Sequence, residues 1–191
     1  MRFFIAIPLP PEIRDALSSV QRRLQRVSGA VRWVEPEGMH LTLRFLGEMT
    51  RRDIAAVHAA MERAAAETPA MLFDVRGVGG FPVGKSPRVV WAGVEGETAP
   101  LSRCIARLEE EVSALGVVPE RRKFVPHVTL GRARARANAE LVREMEALAG
   151  AAIGSFEAEE MVLFESLLDR DGPSYLRTAA SGFGDGEDDN G

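Results

Sequence analysis

His40-Leu41-Thr42-Leu43 and His127-Val128-Thr129-Leu130 are two copies of one pattern, 87 residues apart in a chain of 191. A proline lies just upstream of each, Pro36 or Pro126. Each copy alternates polar with apolar residues, the period of a half-buried strand. Alternation puts His40 and Thr42 on one face and Leu41 and Leu43 on the other, and it divides His127 and Thr129 from Val128 and Leu130 in the same way. Each copy therefore offers an imidazole and a hydroxyl side by side above an apolar layer. A single histidine at the head of a strand is most simply a structural residue. Core packing gives no reason to choose His and Thr twice, whereas a site with two facing halves requires it.

These residue types suit phosphodiester chemistry. Opening a cyclic phosphodiester needs a base to take a proton from water and an acid to protonate the departing ribose oxygen. Histidine, with an ordinary pKa of about 6.5, serves in either role. Two rings on opposite sides of phosphorus, one neutral and one protonated, permit in-line displacement without a metal. Thr42 and Thr129 are suited to donate to the nonbridging oxygens. The pair is symmetric at this level, and the residues alone do not say which ring is the acid.

Around the motifs, helices alternate with strands. Residues 2–8 read as a strand, and Pro11 opens a helix whose Ile13, Leu17, Val20, Leu24 and Val27 form one apolar face. Val31 to Val34 is a short strand, and His40 to Leu46 a longer one ended by Gly47. Thr50 and Asp53 resemble a capping box for a helix carrying Ile54, Val57, Met61 and Ala65. Strands are expected at 71–78 and 88–94, then a helix with Leu101, Ile105, Leu108, Val112 and Leu115, stopped by Gly116. Residues 127–132 form a strand, 138–149 a helix and 153–168 mostly strand. Asp171-Gly172 is a hairpin signal leading into Ser174–Ala180. Several connections are too short for parallel crossovers, which predicts an α+β fold with mostly antiparallel sheets.

Composition narrows the setting. The chain is 46% hydrophobic and 27% charged, as in globular proteins. No apolar run approaches the roughly 20 residues of a membrane span. The opening apolar stretch is cut by Pro8, Pro10 and Pro11 and reads as a first strand rather than a secretory signal. Cys104 is the single cysteine, so no internal disulfide or Cys-x-x-Cys metal site exists, and a reducing cytoplasm is the expected location. Asp185, Glu187, Asp188 and Asp189 account for the whole formal charge of −4, leaving the rest neutral. A neutral body argues against coating long nucleic acid but allows recognition of one phosphate or one RNA end. Residues 182–191 are expected to be a disordered acidic tail, with residues 1–181 forming one domain.

The chain resembles the 2H phosphoesterase superfamily, specifically the bacterial RNA 2′,3′-cyclic phosphodiesterases once described as 2′–5′ RNA ligases. Besides the two motifs, the resemblance rests on Arg2-Phe3-Phe4-Ile5-Ala6-Ile7, Arg32-Trp33-Val34, the His40–Gly47 segment, Arg88–Val94, Pro126–Arg132 and the stretch from Ser166 through Gly172-Pro173 to Tyr175. It implies a bilobal α+β fold, two mostly antiparallel sheets with helices outside and a central cleft, acting without metal or cofactor and leaving a 2′-phosphomonoester. It also implies that His40 donates a proton to the 3′-oxygen, that His127 activates water and that Arg132 contacts the substrate phosphate. Strict alternation would put Arg132 opposite the His127 face, so it reaches the site only if the strand bends or bulges at Gly131. Arg44 shares the His40 face by the same alternation and is a second cationic candidate.

Other signals weigh less. His58 lies at the edge of a helix packing surface, and Trp33, Phe45, Trp91 and Phe124 are core residues by default. Arg121-Arg122-Lys123, running into the second motif, is a candidate for RNA backbone contacts, and Arg134 and Arg136 extend it beyond Arg132. Gly79…Gly84-Lys85-Ser86 matches a phosphate-loop pattern, but Pro82 and Pro87 interrupt it and no helix follows, so the match is chance. The expected partners are RNA ends or small cyclic-phosphate nucleotides, met by a monomer with no membrane attachment. Weak reverse 2′–5′ joining is an expected by-product. The alternatives are hydrolysis of small cyclic nucleotides and noncatalytic binding of nucleotides or RNA ends.

Overall fold

The computed structural model describes residues 1–84, 86–169 and 172–184. In chain order the elements are β1 (Arg2–Pro8), α1 (Pro11–Gln25), β2 (Val31–Trp33), a 3-10 turn at Pro36–Gly38, β3 (His40–Glu48) and α2 (Ile54–Ala66). There follow β4 (Met71–Phe81), β5 (Val89–Gly96), α3 (Thr98–Ala114), β6 (His127–Ala133), α4 (Ala139–Ala147), β7 (Ala152–Ala158), β8 (Glu160–Asp169) and β9 (Gly172–Gly182). Local chemistry sets several boundaries. Pro11 stands at the start of α1, where its missing N–H costs nothing. Gly116 takes φ +86° and ends α3, its N–H returning to the Ser113 carbonyl. Asp53 accepts from both the N–H and the hydroxyl of Thr50 at 2.8 Å, so half of the expected capping box forms one turn ahead of α2.

Every pairing between named strands is antiparallel. The strands run in the order β7-β4-β5-β6-β3-β1-β8-β9, with β2 added to β6. The two expected sheets are thus halves of one nine-stranded sheet. They meet where β3 pairs with β6 through Leu41 and Val128. The run β1-α1-β3-α2 in one half recurs as β5-α3-β6-α4 in the other. The stretch 153–168 divides at Glu159: β7 pairs with β4 in one half and β8 with β1 in the other.

Helices cover the face away from the cleft. α2 and α3 pack on each other, α2 also against β8 and β9 and α3 against β3, while α1 touches β7 and α4 touches β4. Leu41, Val128, Leu130, Val57, Met61, Leu101, Leu108 and Val112 are fully buried in the resulting core. Each such side chain contributes about 1.5–3 kcal/mol by leaving water. The apolar layer beneath the motifs is therefore real, and it fixes which residues of β3 and β6 face outward.

The acidic tail was expected from residue 182, but order continues further. Gly182 completes β9, Phe183 is buried in the core, and the Gly184 N–H reaches the carbonyls of Ala65 and Thr68. The acidic average of the segment hid one aromatic with a place to go. Residues 185–191, like Lys85 of the phosphate-loop match and Asp171 of the hairpin signal, lie outside the described residues.

Candidate active site

The pairing of Leu41 with Val128 positions everything else. Antiparallel register carried one residue either way sets His40 across from Thr129 and Thr42 across from His127. Both polar pairs then share the face opposite the core, and the two histidines sit on a diagonal, where strand geometry sets Cα atoms about 7–8 Å apart and Cβ atoms somewhat closer. That separation leaves room for one phosphate between the rings.

Bulges decide what lies beyond the pairs. On β3, Ala6 faces Thr42 but Ile5 faces Arg44, so Leu43 is an extra residue. On β6, Trp91 faces Thr129 but Val90 faces Gly131, so Leu130 is extra. Each bulge inverts the alternation after it. Arg132 is thereby turned onto the His127 face and lines the cleft. Gly131 lets β2 approach closely, since a Cβ there would lie 2.5 Å from the Val31 side chain and 2.9 Å from Trp33.

The same inversion corrects two expectations. Arg44 does not share the His40 face. It is 7% exposed on the side of α3, where Nε donates to Glu109 Oε2 at 2.5 Å, Nη1 to the Phe45 carbonyl at 2.5 Å and Nη2 to the Val118 carbonyl at 2.5 Å. Burial pushes the Glu109 carboxyl up, but hydrogen bonds from Arg44, the Glu120 N–H and Ser113, with the Arg44 charge, leave it below its usual value. Phe45, read as core, is instead 55% exposed and lines the cleft.

The cleft holds about 570 Å³ between Arg2, Phe4, Gly38, His40, Thr42, Phe45, Thr129, Arg132, Ser166 and Tyr175. Phe4 stacks on the His40 ring at 4.7 Å, Phe164 lies at 6.0 Å, and Tyr175 meets it edge-on at 5.4 Å. This aromatic enclosure was not anticipated. Its trace is the period-two placement of Phe4, Phe164 and Tyr175 on strands whose neighbours could not be known. Burial pushes His40 down to about 4, with a hydrogen bond to the Gly38 backbone acting the other way. A bond that favours the charged ring is one the ring donates, so its acceptor is the Gly38 carbonyl. His127 repeats this contact, Nδ1 lying 2.7 Å from the Val125 carbonyl. In both motifs a carbonyl two residues upstream holds one ring nitrogen and leaves the other without that partner; the His40 ring lines the cleft, and His127 stands outside its lining residues. His127 meets only the edge of Phe81 at 5.2 Å and, at 6.3 Å, Trp91.

Among the described residues, neither the Thr42 nor the Thr129 hydroxyl has a protein hydrogen-bond partner, which leaves both for a bound anion. Burial pushes the Tyr175 hydroxyl up and the Arg132 charge opposes it, and both residues line the cleft. Among the described residues no three His, Cys, Asp or Glu side chains converge as metal ligands, and no helix is long and apolar enough to cross a membrane. His58 stays structural, its Nε2 2.9 Å from the Ala180 carbonyl of β9.

This arrangement can be set beside known proteins. The family described as LigT-like phosphoesterase matches residues 7–91 and 93–175. A protein of Archaeoglobus fulgidus named RNA 2′,3′-cyclic phosphodiesterase is 34% identical over 175 residues, covering 92% of this chain and 96% of its own. A crystal structure from Thermus thermophilus superposes with a TM-score of 0.82 at 30% identity, over 98% of this chain and all of the other. Escherichia coli LigT in complex with 3′-AMP gives a TM-score of 0.77 at 26% identity, over 95% and 97% of the two chains.

Proposed function

Since the chain belongs to the LigT-like phosphoesterase family, we propose that it hydrolyses the 2′,3′-cyclic phosphate end of RNA to a 2′-phosphomonoester. The observation that carries this reading is the Leu41–Val128 register, which brings two distant His-x-Thr pairs onto one face of the sheet.

The surroundings of the two rings differ, which supports the roles that the family resemblance implies. His127 has Phe81 edge-on and Trp91 farther off, while His40 is stacked by Phe4 and further enclosed by Phe164 and Tyr175. Water is accordingly activated at His127, whose free ring nitrogen takes its proton as the oxygen attacks phosphorus. The bond from phosphorus to O3′ breaks on the opposite side, where His40 delivers a proton and leaves a free 3′-hydroxyl. Thr42, Thr129 and Arg132 donate to the nonbridging oxygens as charge builds on them. The terminal nucleoside, still bonded to phosphorus through O2′, lies toward Phe45, whose exposed ring suits stacking on a base. A 5′-hydroxyl attacking phosphorus in place of water displaces O3′ along the same path and leaves a 2′–5′ linkage, so slow joining accompanies hydrolysis.

Burial lowers His40 to about 4 and so favours its neutral form near neutral pH. A phosphate anion between the rings restores the charged form, so the acid is loaded when substrate binds. All these groups come from one chain, and a monomer suffices. The single cysteine, Cys104, is buried and free, in keeping with work in the cytoplasm.

The deciding experiment incubates the protein and a chelator with an oligonucleotide ending in a cyclic phosphate, then identifies the hydroxyl that keeps the phosphate. Chelator-insensitive formation of a 2′-phosphate is expected. A 3′-phosphate product, or loss of activity with chelator, rules the reading out.

A further inference from the structure

We propose that Arg121 and Lys123, on the loop between α3 and β6, bind the backbone phosphates of RNA upstream of its reacting end, so that the enzyme prefers an oligonucleotide to a mononucleotide. This rests on the reading of the cleft given above and extends it to the length of the substrate.

The position of the loop follows from the register. β6 begins at His127, so beyond Leu41 the edge of β3 has no strand beside it. The antiparallel direction of β6 carries the segment before His127 toward the Phe45 end of β3. The Val118 carbonyl accepts from Arg44 Nη2 at 2.5 Å, the Glu120 N–H donates to Glu109 Oε1 at 3.1 Å, and the Pro126 carbonyl accepts from the Val94 N–H at 3.2 Å. Arg44 also holds the carbonyl of Phe45, so the loop is tied to the residue proposed to stack on the terminal base.

Charge is arranged on this held loop in a particular way. Arg122 folds back onto Glu120, with Nη2 to Oε2 at 2.8 Å. Arg121 and Lys123 stand on either side of it, both exposed and neither side chain in an ion pair among the described residues, although the Arg121 N–H also reaches Glu120. The loop also exposes apolar surface, with Val118 82% and Val125 42% exposed. A solvated surface loop has no need of valines in these places, whereas sugars and bases offer them contact.

Geometry sets the direction of the strand. Arg132 marks one end of the phosphate site and Phe45 the other, so a nucleoside attached to the bound phosphate extends toward Phe45. Nucleotides further upstream leave the cleft past that ring, beside the loop. The rest of the chain has no excess of positive charge. The contact is therefore confined to about two phosphates, and for single strands two phosphate contacts give a slope of about −1.4 for log affinity against log salt.

The test compares wild type with the double variant Arg121→Ser, Lys123→Ser on two substrates, 2′,3′-cyclic AMP and an octanucleotide ending in the same cyclic phosphate. Binding of 2′-AMP and of a 2′-phosphorylated octanucleotide is measured alongside over a range of salt. The variant should keep kcat/KM on cyclic AMP within about twofold. It should lose about tenfold on the octanucleotide at low salt, and its salt slope for octanucleotide binding should be shallower by about 1.4. Unchanged octanucleotide kinetics and slope would overturn the proposal, as would an equal loss on both substrates. If wild type turned over neither substrate, the reading of the cleft would fall, and the binding slopes would still decide the loop.

Discussion

Phe45 and Arg132 occupy equivalent places in the two halves of the cleft: each is the fifth residue after its motif histidine, and each is turned inward by a one-residue bulge, at Leu43 or Leu130. One position carries an aromatic ring and the other a guanidinium. A site that binds a nucleoside on one side of phosphorus and a negative charge on the other needs that asymmetry. Phe45→Ala should raise KM about tenfold or more with a smaller change in kcat, since stacking on a base contributes about 1–3 kcal/mol. Arg132→Ala should lower kcat by about a hundredfold, because its donors meet charge that develops as the bond breaks. Arg132→Lys should recover little of this, as a single ammonium cannot reproduce the bidentate fork. Steady-state kinetics on a cyclic-phosphate substrate separates the two effects, and a matching loss of kcat in both alanine variants would contradict the division.

Replacing His127 by Ala should remove the proposed base without touching the core, because the ring lies on the face opposite the core and, among the described residues, its hydrogen bond goes to the Val125 carbonyl. Turnover should fall by a factor of about 10²–10⁴, and the thermal midpoint should stay within a few degrees of wild type. His40→Gln should lose a comparable share of activity. Activity assays paired with thermal denaturation check this. Full hydrolysis by either variant would remove the acid–base pair from the mechanism.

The enclosure of His40 has two consequences for pH. Its folded pKa of about 4 lies below the ordinary value of 6.5. Between those values the unfolded chain binds a proton that the folded chain does not, so stability falls as pH drops from about 6.5 to about 4 and is level above that window. The loss amounts to about 3 kcal/mol at one unit per 1.36 kcal/mol. Urea unfolding across this range, compared with His40→Gln, isolates the contribution; the variant should show the shallower dependence. The second consequence is proton uptake. Calorimetric titration of the His127→Ala variant with a 2′,3′-cyclic nucleotide near pH 6.5, in buffers of different ionisation enthalpy, should show net uptake of a fraction of a proton. Equal heats in all buffers would mean that His40 is not loaded by the substrate.

The motifs themselves were legible, because alternation over three residues is enough to pair His40 with Thr42 and His127 with Thr129. Bulges set the limit of that reading. Gly131 hinted at the irregularity that brings Arg132 into the cleft, while nothing in Leu43-Arg44-Phe45 marks the matching one, and so Arg44 and Phe45 were exchanged between faces. Burial by distant strands was equally invisible: Phe4, Phe164 and Tyr175 surround His40 only once β1, β8 and β9 are in register. The break at Glu159 was missed because no glycine or proline stands between Ala158 and Glu160, although the chain there passes from one half to the other.

The Arg44–Glu109 pair is the place where stability and substrate binding are coupled. Arg44 is nearly buried and supplies four hydrogen bonds, to both Glu109 oxygens and to the carbonyls of Phe45 and Val118. Arg44→Ala strands all of these acceptors at once. Breaking a fully buried pair from one side costs about 3–5 kcal/mol. The Glu109 side chain is 26% exposed, so water recovers part of that loss and a figure of about 2–3 kcal/mol is expected here. Glu109→Gln keeps acceptors on the α3 side and should cost less. Because the lost contacts include the Phe45 carbonyl and the loop ahead of His127, Arg44→Ala should also raise KM on an oligonucleotide at a temperature where the variant is fully folded. Denaturant unfolding gives the first effect and kinetics well below the midpoint gives the second. A destabilised variant with unchanged KM would show that the pair anchors the fold alone and does not help to place Phe45.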